Sequence, residues 1–268
     1  MVGPYCSQCG EKRLTPKDYS LPHLAEETLG VFTHLDSKFL RTLKALVTKP
    51  GELSRAYFHG GRSRYTKPLT LFVIINVIFF VVQPHTGFWH QKHATYMTDR
   101  NYAAVVDARL ATTREPVQSY AARFDANLQN QKKSLLIISV PLLALVMSLL
   151  FIGTRHTYVE HLLFSVQVYA FDLLCMLTLA LLVVAPLRMV ARTLGSGGAR
   201  LRSVLDGELA IVLLSILWLT IYMYHGLRRA YDASRIRAGL VAFVLALTAM
   251  YLTGIYYRTL FWATFWTT

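Results

Sequence analysis

The sequence predicts an all-α, polytopic membrane protein with about five transmembrane helices and an amphipathic helix ahead of the first. Three observations carry this. Hydrophobic residues make up 54% of the chain and charged residues only 16%, whereas soluble domains run near one quarter charged, so the surplus apolar surface points to lipid. Five apolar runs are long enough, or nearly so, to cross a bilayer. The net charge is +13, and on a membrane protein such an excess marks loops held at an anionic leaflet rather than nucleic acid.

The chain divides into three parts: 1–14, a half-zinc-ribbon-like segment; 20–67, a cytoplasmic amphipathic helical region; and 68–268, a transmembrane domain with an extracytoplasmic helical insertion at 84–133. No signal-peptide-like run lies in the first 68 residues. In the second part, "VFTHLDSKFLRTLKALVTKPG" places Phe32, Leu35, Phe39, Leu43, Leu46 and Val47 at helical spacing, with Lys38, Arg41 and Lys44 off that stripe. Pro50 and Gly51 end the helix. Such a helix either lies in the membrane interface or packs on the protein's own cytoplasmic face, and periodicity does not separate the two.

The expected spans are 69–83, 135–152, 158–187, 209–225 and 238–257. The 84–133 insertion is polar and Ala-rich, helical with a break at Pro116. After the fifth span, Phe261, Trp262, Phe265 and Trp266 read as an interfacial aromatic belt. Eleven of the 28 Lys and Arg residues lie in the first 68 positions, which favours a cytoplasmic N-terminus. Five spans then place 16 of the 28 inside and 12 outside, with an extracytoplasmic C-terminus.

Four constellations could carry chemistry. Cys6 and Cys9 form a C-x-x-C-G half site, while a structural zinc needs four ligands; His23, His34 and His59 lack knuckle spacing. Arg55, Arg62, Arg64 and Lys67 cluster with Gly60 and Gly61 before the first span. Arginine forks suit phosphate and glycines admit close backbone approach, so this is a headgroup or phosphate site, or else plain positive-inside anchoring. On the third span His161, Ser165, Tyr169 and Asp172 form one polar stripe, with Glu160 and Gln167 beside it. Ionisable groups inside a span normally face the bundle interior and often mark function, so Glu160, His161 and Asp172 are the catalytic or ion-site candidates. Their competing reading is an interfacial ion pair for Glu160 and His161 and a buried hydrogen bond for Asp172. Asn76, Tyr222 and His225 are their expected partners from other spans. Finally, His85, His90 and His93 follow the first span without a known metal spacing, and Trp89 among them reads as interface. No nucleophile elbow, Walker loop, H-E-x-x-H or dinucleotide fingerprint is present.

The order of motifs resembles a bacterial family of polytopic membrane proteins known only as a domain of unknown function. The matching residues are Tyr5, Cys6, Cys9 and Gly10; Leu35, Asp36, Lys38, Phe39, Thr42 and Leu43; Lys49, Pro50 and Gly51; Tyr57, Gly60 or Gly61, Arg62, Tyr65 and Pro68; and Tyr158, Glu160 and His161. "LRRAYDASRIR", with Arg229, Tyr231 and Ser234, extends the likeness beyond the fourth span. The resemblance implies a second C-x-x-C knuckle ahead of "YCSQCG". Its absence here leaves three readings: a zinc shared between two chains, a decayed site, or a start further upstream. It implies no activity.

The expected function is therefore an inner-membrane accessory or assembly protein, docking a protein partner, a second copy of itself, or anionic lipid headgroups. The alternative is a lipid-handling enzyme or transporter, using Glu160 and His161 as acid/base groups or metal ligands, Asp172 as a proton or ion site, and Arg62 and Arg64 as phosphate clamps.

Overall fold

The computed structural model describes residues 37–86, 93–194 and 208–268. The half-zinc-ribbon segment with Cys6 and Cys9, and also His23, His34 and His90, lie outside the described residues. Among those described, every regular element is a helix. In order they are α1 (Ser37–Thr48), α2 (Glu52–His59), a 3-10 turn (Arg62–Arg64), α3 (Pro68–Thr86), α4 (His93–Tyr96), α5 (Arg100–Thr113), α6 (Val117–Leu150), α7 (Tyr158–Leu179), α8 (Ala185–Thr193), α9 (Glu208–Ala230) and α10 (Arg235–Thr267). Among the described residues four segments, Arg62–Thr86, Tyr158–Thr193, Ile211–Ala230 and Arg235–Thr267, are long and apolar enough to cross a membrane. The fifth is α6, if Val117–Lys132 and Ile137–Leu150 count as one span bent by 49°. The protein is an all-α, multi-pass membrane protein.

Lipid offers no hydrophobic force between helices, so close packing of small side chains has to hold them together. The α10 helix supplies these at Ala238, Ala242, Ala246 and Ala249, all buried. Its main partners are α9 and α6; α7 packs against α6 and α3. Outward positions such as Leu182, Leu213, Leu217, Leu240 and Phe243 are exposed, as lipid-facing residues should be. The third apolar run continues past its expected end: a π-helical turn, Ala180–Val184, joins α7 to α8. Pro186 explains it, because a proline nitrogen cannot donate back to the preceding turn and the ladder loosens there.

One end of the bundle collects α1, α2, the start of α7, the end of α9 and the start of α10. Arg229 donates to the Pro50 carbonyl at 2.9 Å and Phe58 packs edge-on against Tyr231. There α1 packs on the protein's own end, burying Phe39, Thr42, Ala45 and Leu46, while Leu40 and Val47 stay exposed beside that face. Of the two placements expected for this helix, its buried face shows the packing on the protein's own end.

The opposite end carries the insertion. Pro116 caps α6. At 33 residues α10 is roughly 50 Å long, well beyond a ~30 Å hydrocarbon core, so it projects from the membrane. Its last turns bond to the insertion: Arg109 to the Phe265 carbonyl at 2.5 Å, Tyr96 to the Tyr257 carbonyl at 3.2 Å, and Gln131 to Thr267 at 2.7 Å. This corrects the aromatic-belt expectation. Phe261 is buried against Tyr96, Tyr102 and Phe124, Phe265 is buried against Phe261 and under Arg109, and only Trp262 and Trp266 of that group are exposed.

Candidate functional site

Three places hold the sequence-predicted residues. The first is a cleft beside α2. Gly51 has φ 80° and turns the chain from α1 into α2; Gly60 and Gly61, at φ 91° and 98°, turn it into the 3-10 segment. This path wraps a cleft of ≈ 160 Å³ lined by Glu52, Arg55, Ala56, His59, Gly60, Gly61, Arg64 and Tyr65. Arg55 and Arg64 are both exposed, and neither has an ion pair or side-chain hydrogen bond among the described residues. Two guanidinium groups facing one glycine-walled space can hold a phosphate through forked hydrogen bonds. Glu52 tempers the charge without cancelling it. Arg62 and Lys67, expected in the same cluster, do not line this cleft.

The second place is an aromatic knot at the same end. His161 is 2% exposed, and its Nδ1 lies 3.0 Å from the Tyr231 hydroxyl, with the two rings stacked at 3°. Phe58, Phe151, His156 and Phe164 close around Tyr231. Burial, and then the Glu160 charge, push the Tyr231 phenol well above its ordinary range, so it keeps its proton. Glu160 joins this knot at its edge, through His156. It pairs with His156 Nδ1 at 2.9 Å and accepts the Thr157 N–H at 3.2 Å, the return half of a capping box that starts α7. Both Glu160 contacts are local, to residues three and four positions back.

Asp172 lies elsewhere, roughly 16 Å along the helix from His161 by rise per residue. Its Oδ1 accepts the Trp218 indole N–H at 2.9 Å. It lines a cavity among α3, α6, α7 and α10 together with Gln83, Lys132, Tyr169, Thr253, Tyr256 and Tyr257. Its volume is ≈ 50 Å³, above the ~10–15 Å³ that holding a water requires. Lys132 is 4% exposed and donates to Gln83 Oε1 at 2.9 Å; Tyr256 donates to the Lys132 carbonyl at 2.8 Å. The Tyr169 hydroxyl is buried with no hydrogen bond of good geometry, although Ser139 is close by.

Glu160, His161 and Asp172 therefore do not share one cavity. Their expected partners are also different: Asn76 is buried with its Nδ2 unpaired among the described residues, Tyr222 accepts from Gln167 Nε2 at 2.8 Å, and His225 contacts Tyr224. Sequence reasoning missed Lys132, Gln83, Trp218 and the Tyr231 contact. For Lys132 and Gln83 the signal was present, since each stands at the edge of an apolar run. Among the described residues no group of three or more His, Cys, Asp or Glu is placed to hold a metal, and of the histidine cluster His85 is exposed while His93 is buried.

Residues 36–80, from α1 through most of α3, match a family described as "Protein of unknown function (DUF3667)". The matched stretch contains Lys49-Pro50-Gly51, the cleft residues Arg55 and Arg64, and Arg62 and Lys67. No curated protein and no solved structure matches the chain.

Proposed function

We infer that the protein is a bacterial inner-membrane accessory protein with a cytoplasmic N-terminus, and that its α1–α2 unit docks phosphate-bearing anionic lipid headgroups. The observation that carries this reading is the cleft in which Arg55 and Arg64 face a glycine-walled space with no counter-ion paired to them among the described residues. Around it, Arg41, Lys44 and Lys49 are exposed, and Leu40 and Val47 project beside them. An apolar edge next to a basic cluster suits the headgroup layer of an anionic leaflet. The lipid-handling alternative, with Glu160 and His161 as acid/base groups or metal ligands, Asp172 as a proton or ion site and Arg62 and Arg64 as phosphate clamps, is less supported, since Arg62 does not line the cleft and Glu160, His161 and Asp172 do not share one cavity.

Native mass spectrometry of the full chain in neutral detergent tests this. Added phosphatidylglycerol should remain bound to the wild type, and Arg55→Ala/Arg64→Ala should lose most of that retention. Arg41→Ala/Lys44→Ala, which removes equal charge outside the cleft, should keep it. Equal loss in both double variants would reduce the cleft to general basic anchoring and refute the reading.

A further inference from the structure

The Asp172 cavity lies along the bundle from the cleft and shares no residue with it, so its chemistry is independent of headgroup docking. Four helices besides its own surround the carboxyl. Trp218 on α9 donates to Oδ1 and is neutral. From α3 comes Gln83, already held by Lys132. Lys132 on α6 is the cation of the cavity wall, with its ammonium 5.9 Å from the Phe80 ring centre. Thr253, Tyr256 and Tyr257 come from α10. On α7 itself, Tyr169 lies one turn before Asp172 and Cys175 one turn after it. Tyr222 on α9 stacks on Phe171 and is bonded to Gln167.

Among the described residues Asp172 thus has one neutral donor in contact, and it opens into a cavity large enough for water that it shares with the Tyr169 hydroxyl. A carboxyl deep in a span normally faces such a cavity, and proton relays are built from these parts. We propose that Asp172 is a proton-exchange site inside the membrane, loaded and unloaded through the water-holding cavity it shares with Lys132 and Tyr169. Loading moves a proton from a hydronium of the cavity water onto Oδ2, leaving a neutral water behind; unloading returns it. Oδ1 keeps the Trp218 bond in both states, so the exchange needs no change in packing. The Tyr169 hydroxyl lines the same cavity and can meet either state of the acid through an intervening water. A metal cation fits this donor set poorly: one carboxylate faces the cavity, the other oxygens are dispersed amide, hydroxyl and phenol groups, and the Lys132 ammonium opposes a second cation.

Carbodiimide chemistry reads the proton directly. Dicyclohexylcarbodiimide enters lipid and adds to a protonated carboxyl. The acid proton goes to one reagent nitrogen, the carboxyl oxygen bonds to the central carbon, and rearrangement gives a stable acylurea containing every atom of both. The full-length protein in proteoliposomes would be treated across a pH series and its peptides mapped by mass. The expected result is an adduct on Asp172 whose yield falls as pH is raised. Lys132→Met should let labelling persist to higher pH, because removing a nearby cation favours the neutral acid. Asp172→Asn should abolish the adduct; should that variant fail to fold, the wild-type peptide map still decides. Absence of an adduct at every pH, while another carboxyl is labelled, would overturn the proposal. So would a yield independent of pH, which marks a permanently protonated structural acid.

Discussion

Replacing Gly51 by alanine should detach the α1–α2 unit from the bundle. Gly51 has φ 80°, in the left-handed region that costs a residue with a Cβ ~1–2 kcal/mol. An added Cβ would also stand 2.5 Å from the Gly226 carbonyl oxygen and 2.8 Å from its Cα. Both are backbone atoms of α9, so no rotamer change relieves the contact, and forcing bulk into packed structure costs a further ~1–3 kcal/mol. The sum, ~2–5 kcal/mol, falls on a junction secured by the Arg229–Pro50 bond and by Gln167 Oε1 accepting both the N–H and the hydroxyl of Ser54, at 3.2 and 2.7 Å. The assay is maleimide labelling at Ala56→Cys, a buried position, in a background without other cysteines, with melting followed in parallel. Gly51→Ala should speed labelling and lower Tm. Gly61→Ala is the control: its φ is 98°, but a Cβ there meets nothing within 4 Å, so it carries the backbone cost alone. Gly226→Ala should fall between them, since its Cβ would press, at 2.9 Å, on the Phe164 ring, a side chain that can shift. If Gly51→Ala labels and melts like Gly61→Ala, the backbone contact is not what holds the unit in place.

Single cysteines at Arg41 and Arg109 should react from opposite sides of the membrane, and reaction from the same side would refute five spans. Gln167→Leu should destabilise by about 2–5 kcal/mol, because Ser54 and Tyr222 would both lose a buried partner; an unchanged Tm would show that water replaces the amide. His93, in the insertion, has its pKa lowered chiefly by burial, with Asp125 and Asp107 opposing. A histidine depressed in the folded state binds more protons when unfolded, so stability is present above the unfolded value of about 6.5 and declines as pH falls through it. Hydrogen exchange in 93–113 should rise on acidification in the wild type and lose that pH dependence in His93→Phe.

The fold class was legible because lipid demands long apolar helices, and run length shows them directly. Run length did not show where α10 leaves the membrane, because a residue such as Phe261 is equally at home in an interface or against Phe124. The polar stripe on α7 was also legible: His161, Ser165 and Tyr169 are each no more than 4% exposed, and Asp172 opens into a cavity, as an inward face requires. The choice of partners was not legible. Tyr231 follows α9 rather than lying on it, and helical periodicity has nothing to say about a residue in a turn. The cluster of Arg55, Arg62, Arg64 and Lys67 was visible as charge, but the glycine turns decide which of the four face the cleft, and that geometry lies in φ angles rather than composition.

The spacing along α7 separates the two classes of function. Between His161 and Asp172 the helix rises roughly 16 Å, and the interval is filled. Ser165 packs on Met147, Phe164 meets Tyr231 edge-on, and Gln167 is bonded on both sides, to Ser54 and to Tyr222. A headgroup bound at either end cannot reach the other through that packing. Chemistry that used both would need a ligand lying along α7 for three turns, about the length of an acyl chain, and it would have to displace Gln167 from Ser54. That displacement would also loosen α2, whose Arg55 lines the cleft. A lipid-handling role therefore makes a demand that docking does not: occupancy along α7 and attachment of α2 must be mutually exclusive. Adding lipid should then speed labelling at Ala56→Cys. If lipid slows that labelling, the ligand sits at the cleft and the bundle interior stays closed.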